Sequence, residues 1–230
     1  MSQQRIVVAI DGPAGAGKST VARSVAAKLG FIYIDTGAMY RAVALWALRA
    51  NIDEADTHKM EQLAREAEIT FEPGSNSVFL NGEDVTAQIR TADVSAAASK
   101  VSAIAGVRRV LVEKQREMAA SGSVVMEGRD IGSVVFPDAR VKIFLDAPPS
   151  ERVDRRSREL AQRGVALDPE VAARAIEERD QRDRTRAEAP LVQAPDAVYV
   201  DSGGLSVEQV EEHVLRIVRE RTANGKEYSR

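Results

Sequence analysis

The chain has no cysteine, which excludes disulfides, thiolate metal sites and cysteine nucleophiles and agrees with a reducing compartment. Histidine is scarce as well: His58 and His213 belong to no motif and read as structural or surface residues. No apolar run approaches the roughly 20 residues needed to cross a bilayer, and Met1 to Arg5 lacks a charged-then-apolar leader. A cytoplasmic location with no membrane partner is therefore expected. Neither charge sign is in large excess, with 32 basic against 35 acidic residues and a net charge of −3. Non-specific attraction to nucleic acid is accordingly not expected. Low-complexity tracts and internal repeats are missing too, and 44% hydrophobic with 29% charged residues is ordinary for a globular protein. At 230 residues, one large α/β core is the simplest organisation.

What is present is a phosphate-binding loop. Gly12, Pro13, Ala14, Gly15, Ala16, Gly17, Lys18 and Ser19 match G-x-x-x-x-G-K-[ST], with Thr20 following. The glycines let the backbone wrap a polyphosphate, successive N–H groups and the next helix N-terminus supply positive potential, and Lys18 reaches the β and γ phosphates. Ser19 is placed to put its hydroxyl on a magnesium ion. The context agrees: Ile6 to Ile10 reads as a strand, and Val21, Ala22, Val25, Ala26 and Leu29 recur at helical spacing until Gly30 stops them.

Further strand-like runs lie at Ile32 to Ile34, Val124 to Met126, Val141 to Leu145 and Ala197 to Val200, mostly separated by helical patterns. This rhythm predicts an α/β fold with a five-stranded parallel sheet and helices on both faces. The runs end on polar residues, Asp11, Asp35, Asp146 and Asp201, or on Glu127 to Asp130, so a ligand site is expected outside the carboxyl ends. From Met39 to about Ala98 the rhythm breaks. Helices are expected over Met39 to Ala50 and Met60 to Glu68, followed by short antiparallel strands at Ile69 to Glu72, Val78 to Leu80 and Glu83 to Thr86, with Asn81 and Gly82 as a hairpin turn. Two more helices, about Ile89 to Ile104 and Val107 to Ala120, return the chain to the sheet, and the polar tail after Val218 is expected to fray. Leu45, Trp46, Leu48 and Val43 read as core packing.

Between Glu151 and Glu188 there are ten arginines, no lysine and ten acidic residues. Solvated helices laced by i,i+4 pairs would account for part of this. Arginine alone, however, grips phosphate oxygens bidentately. Helical spacing puts Arg152, Arg155 and Arg156 on one face and Arg179, Asp183 and Arg186 on another. Flanking Arg163 and Gly164, these faces suggest a lid closing over phosphates.

A phosphate loop by itself serves kinases, GTPases, motors and switches alike. Transfer to a small acceptor is favoured because Asp35 to Arg41 offers hydroxyls, an aromatic face and a cation, and Glu127 to Asp130 adds another cation and carboxylate. An arginine lid would exclude water while neutralising the charge of the transferred group. The guanine signature Asn-Lys-x-Asp is missing.

Gly12 to Thr20 (GPAGAGKST), Asp35 to Arg41 (DTGAMYR), Asn81 to Val85 (NGEDV), Glu127 to Gly132 (EGRDIG), Phe136 to Asp138 (FPD), Val141 to Asp146 (VKIFLD) and Arg179 to Arg186 (RDQRDRTR) together resemble the bacterial cytidylate kinases, in the same order and over nearly the whole chain. The resemblance implies a single P-loop kinase domain with a nucleoside-monophosphate-binding insertion at 37–98 and a lid at 150–188. It implies transfer of the ATP γ-phosphoryl group onto CMP or dCMP; magnesium is the expected cofactor and a monomer the expected state. Acceptor-binding roles fall on Thr36, Tyr40, Arg41, Ser99, Arg108, Arg129, Asp130, Arg179, Asp183 and Arg186. Catalytic roles fall on Lys18, Arg129, Asp130, Arg155 and Arg186, and the ATP-binding set is the loop with Arg152, Arg155 and Arg156. Ser133 stands where relatives commonly carry threonine, and Ser19 is a position that varies to glycine among them, which bears on its magnesium contact. UMP, AMP or a small metabolite is the alternative acceptor, and a non-catalytic ATP-dependent switch the alternative class.

Overall fold

Strand β1 (Val7–Asp11) hands over to the glycine-rich loop, and helix α1 (Lys18–Leu29) follows. The structure, a computed structural model, describes residues 5–72, 74–162 and 168–222. No side chain caps the start of α1, where Gly17 takes a left-handed conformation. Its end is closed by Gly30, whose N–H reaches back to the carbonyls of Ala26 and Ala27. Strand β2 (Ile32–Asp35) comes next, and its last residue caps helix α2 (Thr36–Arg49) by accepting the Ala38 N–H. The helix thus begins three residues before the position its apolar pattern suggests, because Asp35 supplies an N-cap that hydrophobic periodicity does not register.

Helix α3 (Thr57–Glu66), capped by Asp56, leads into β3 (Ile69–Phe71), β4 (Val78–Leu80) and β5 (Glu83–Asp84), an antiparallel sheet in that order. Asn81 and Gly82 both adopt positive φ in the turn joining β4 to β5, as the sequence suggests. The single helix expected over Ile89 to Ile104 is two pieces, a 3-10 turn at Gln88–Arg90 and α4 (Ala92–Val101). Thr91 separates them, since its hydroxyl accepts the Val94 N–H and starts a new helix. After α5 (Ala105–Met118), chain contacts close off Ile34–Ser121 as one of two compact units. Its core is continuous, with Met39, Val43, Ala64, Ile69, Leu80, Ile89 and Leu111 all buried. Each fully buried aliphatic side chain of this kind contributes about 1.5–3 kcal/mol.

The other unit takes the chain up to Tyr33 and from Gly122 onward. Strands β6 (Val124–Gly128), β7 (Val141–Asp146) and β8 (Val198–Asp201) complete a parallel sheet in the order β2-β6-β1-β7-β8. Central β1 pairs with β6 on one side, Asp11 opposite Gly128, and with β7 on the other. One sheet face packs Val8, Ile10, Ile143 and Val200 against Val21 and Val25 of α1 and Val210, Val214 and Ile217 of the last helix, α8 (Val207–Thr222). Continuation of α8 to Thr222, whose hydroxyl donates to the Val218 carbonyl, corrects the expected fraying from Arg219. The remainder of that tail lies outside the described residues. Between β7 and β8 run α6 (Pro149–Gln162) and α7 (Pro169–Thr185), the latter capped by Asp168 with Pro169 in its first turn. Leu160, Ala172 and Ile176 are their buried apolar positions. Arg163 and Gly164 lie outside the described residues.

Candidate functional site

The loop after β1 follows from two close approaches that only glycine permits. Gly12 has φ 151°, and a Cβ there would lie 1.9 Å from the Leu145 carbonyl oxygen. At Gly15, φ is 77° and a Cβ would fall 2.8 Å from the Arg152 carbonyl oxygen, so the loop tip rests directly on the backbone of α6. Lys18, in the first turn of α1, is buried, and its Nζ donates to the Pro13 carbonyl at 2.6 Å across the loop. Burial, followed by the positive charge of Arg129, pushes its pKa down to about 7, against the opposing pull of Glu127. Ser19 and Thr20 are exposed beside it. This end of α1 offers a lysine and free-facing hydroxyls where helix N–H groups point, the arrangement that holds polyphosphate.

Asp11 is the carboxylate nearest this cradle in sequence. Its two oxygens accept the backbone N–H groups of Ile131 and Gly132 at 2.8 and 2.7 Å. Burial raises its pKa to about 6, against the lowering effect of those two hydrogen bonds. The anchored segment is a wide helical turn over Ile131–Val135 that follows directly on Arg129 and Asp130.

Arg129 donates through Nε to Asp183 of α7 at 3.0 Å. Arg186 lies 3.6 Å from Asp183 and 3.6 Å from Asp130, and its Nε donates to the Ala189 carbonyl. Burial works against ionisation of Asp183, yet Arg129, Arg179 and Arg186 outweigh it and hold its pKa below the usual carboxylate range. Arg129, desolvated in turn, has its pKa raised by Asp183. The structure thus brings Arg129, Asp130, Arg179, Asp183 and Arg186 into one charged cluster. One detail corrects the helical-face expectation: α7 ends at Thr185, and Arg186 leaves it in extended conformation (φ −60°, ψ 141°). Arg186 joins the cluster through this turn rather than by i+7 helical spacing.

The α6 arginines separate by partner. Arg152 is buried and donates to the carbonyls of Ala14 and Ala147 at 3.1 and 3.2 Å while pairing with Asp180. Arg155 donates to the Ala16 carbonyl at 3.2 Å and to the hydroxyl and carbonyl of Ser202, with Glu151 as its i,i+4 partner. Arg156 pairs with Glu159. Asp180 lies inside the Arg179 to Arg186 motif but is assigned no role there, and Ser202 lies in no motif. Their partners, Arg152 for the aspartate and Arg155 with the Ala16 carbonyl for the serine, come from packing that brings α7 and the end of β8 beside the loop.

Within Ile34–Ser121, the remaining expected residues gather around α2. Arg41 pairs with Asp35 at 2.8 Å, and the Arg41 charge helps hold the Asp35 pKa low against burial. Thr36 and Tyr40 are buried on the same helix. The Arg108 guanidinium lies over the Tyr40 ring, 5.5 Å from its centroid, and donates to the Ser102 carbonyl. Ser99 Oγ and Arg41 Nε are buried and have no hydrogen-bond partner among the described residues. Orphaned buried polar atoms of this kind are costly unless a ligand completes them.

A family model described as cytidylate kinase matches residues 8–220. The chain is 61% identical to the cytidylate kinase of Solibacter usitatus, over 99% of its own length and 98% of that protein's. It is 54% identical to the cytidylate kinase of Pelotomaculum thermopropionicum, over 88% and 91%. Among solved structures, an uncharacterized protein from Eubacterium ventriosum is similar at a TM-score of 0.51 and 14% identity, covering 93% of this chain and 98% of that one. That last likeness is one of fold alone.

Proposed function

Because the chain belongs to the cytidylate kinase family, we propose that it transfers the γ-phosphoryl group of ATP to CMP or dCMP. The bond between the γ phosphorus and the β–γ bridging oxygen breaks, a bond to an α-phosphate oxygen of the acceptor forms, and ADP leaves with CDP or dCDP. The full-length likeness carries this reading, and the loop with the Arg129–Asp183 cluster supports it. No general base is required, because the acceptor phosphate, with a second pKa near 6, already presents an anionic oxygen near neutral pH. Catalysis then consists of holding both nucleotides in line and neutralising the charge between them.

Residues 12–20 take the ATP phosphates through backbone N–H groups, apart from Pro13, which has none, and Ala14, whose N–H is given to Asp180, and Lys18 takes the transferred group. Arg156 is assigned to the phosphates from α6, and Arg152 and Arg155 to the loop itself, since the donors of both are already committed, those of Arg152 to Ala14, Ala147 and Asp180 and those of Arg155 to Ala16, Ser202 and Glu151. Arg41, Arg129 and Arg186 hold the acceptor phosphate, and Arg179 with Asp183 the sugar. Asp130 accepts from the cytosine exocyclic amine while Ser99 and Arg108 donate to ring acceptors. Uracil presents an acceptor where cytosine presents that amine, so it would face a carboxylate with no proton to share.

The donor set fits magnesium. The Ser19 hydroxyl is exposed at the start of α1 and offers one hard oxygen, and magnesium is ordinarily completed by nucleotide phosphates and water rather than by a protein cage. When bound, the ion would neutralise charge on the β and γ phosphates. We place the reaction in the cytoplasm, with the chain acting as a monomer. No described helix is long and apolar enough to cross a membrane.

A coupled assay offering CMP, dCMP, UMP, AMP and GMP at equal concentration tests the assignment. The cytidine nucleotides should be turned over fastest; UMP or AMP outpacing CMP would overturn it.

A further inference from the structure

We propose that the buried Arg152–Asp180 pair couples donor and acceptor binding, so that ATP in the loop tightens CMP binding and CMP tightens ATP binding by the same factor. The two side chains are positioning residues. Together they hold the peptide groups of Ala14 at both ends: the Ala14 N–H donates to Asp180 Oδ1 at 3.3 Å, and its carbonyl accepts from Arg152 Nη1 at 3.1 Å. The pair closes on itself through Arg152 Nη1 and Asp180 Oδ2, and Arg152 Nε is rooted on the Ala147 carbonyl just past β7. At the next residue, Gly15 lets the loop touch the α6 backbone with no side chain between.

Asp180 sits on α7 between Arg179 and Asp183, and Asp183 is the residue that receives Arg129. A helix is stiff over one turn, so a displacement of α7 that repositions Arg179 and Asp183 also moves Asp180, and with it Ala14. A buried ion pair is poor evidence of added stability, since apolar side chains of equal volume often do as well. What it does fix is one register of α7 against the loop. Two ligands that both favour that register must favour each other, and the linkage is reciprocal. The proposal rests on the reading of Arg179 and Asp183 as acceptor-binding residues.

Calorimetric titration of the full chain with CMP, in the absence and presence of saturating adenylyl imidodiphosphate, tests it. For the unaltered chain, CMP should bind about fivefold tighter or more when the analogue is present. In Asp180→Asn the ratio should fall to near one. The same is expected of the double variant Arg152→Met with Asp180→Leu, which leaves no unpaired buried charge and so guards against a result that reflects misfolding. A ratio of one in the unaltered chain, or an undiminished ratio in Asp180→Asn, overturns the proposal. Arg129→Gln separates it from the reading beneath it. If that variant binds CMP as tightly as the unaltered chain, the acceptor reading fails and the coupling with it; if CMP binding is lost there while Asp180→Asn keeps its coupling, only the coupling fails.

Discussion

The Asp11 carboxylate and the Gly132 backbone N–H meet at 2.7 Å, joining the last residue of β1 to the turn that follows Asp130. The other Asp11 oxygen takes the neighbouring N–H of Ile131. One side chain thereby fixes the start of the phosphate loop relative to the backbone carrying Arg129 and Asp130.

This link should be visible in the pH dependence of stability. The Asp11 pKa rises on folding from 3.8 to about 6, so between these values the folded chain binds the proton more tightly than the unfolded one. Its contribution is therefore fully present below pH 4 and is lost as pH rises through 6, on the order of 3 kcal/mol in all. Asparagine cannot titrate. Urea unfolding at pH 4.5 and pH 7 should show the advantage of the unaltered chain over Asp11→Asn shrinking as pH rises, whereas a constant difference would contradict the assignment.

Gly12→Ala places a methyl group 1.9 Å from the Leu145 carbonyl, in a backbone conformation that alanine resists. The strain cannot be relieved by a flexible side chain, because the obstructing atom is backbone in β7. A loss of about 2 kcal/mol or more in stability is expected, together with weakened ATP binding. Thermal unfolding and nucleotide titration of the same sample would check both.

Lys18, with its pKa pushed down to about 7 by burial and then by Arg129, is partly deprotonated in the free chain near neutral pH. Phosphate oxygens arriving beside it favour the ammonium form, so ATP binding at pH 7.5 should take up protons. Calorimetry in two buffers of different ionisation enthalpy measures that uptake. It should vanish in Lys18→Met, where kcat should also fall about a hundredfold or more with every acceptor.

Asp130 lies beside Arg186 and next to the anchored turn. Replacing it with asparagine keeps the shape but offers an amide that can donate as well as accept, so discrimination between cytosine and uracil should relax. The CMP-to-UMP ratio of kcat/KM should drop by about tenfold or more, with the ATP KM far less altered. An unchanged ratio would remove Asp130 from base reading.

Much of this arrangement is legible in the sequence because it depends on local signals. The loop announces itself by spacing, the parallel strands by apolar runs ending on Asp11, Asp146 and Asp201, and the small hairpin by Asn81 and Gly82. Helix starts are less legible, since Asp35, Asp56 and Thr91 each cap through one side-chain hydrogen bond and leave no trace in a hydrophobic pattern. The pairing of Arg152 with Asp180, and of Asp11 with Ile131 and Gly132, joins residues 28 and about 120 positions apart. Periodicity carries no information at such separations. Arginine abundance between Glu151 and Glu188 points to a role for cations there, but only the packing of α6 against α7 and the loop shows that Arg152 faces the loop backbone, whereas Arg156 pairs within its own helix with Glu159.

Phosphorus NMR of a mixture of ATP, CMP, magnesium and the chain tests the central claim most directly. The account predicts that ADP and CDP appear together in equal amounts, with no inorganic phosphate, until the reaction approaches equilibrium. ATP consumption that yields inorganic phosphate without CDP, or no consumption when CMP is present, would contradict it.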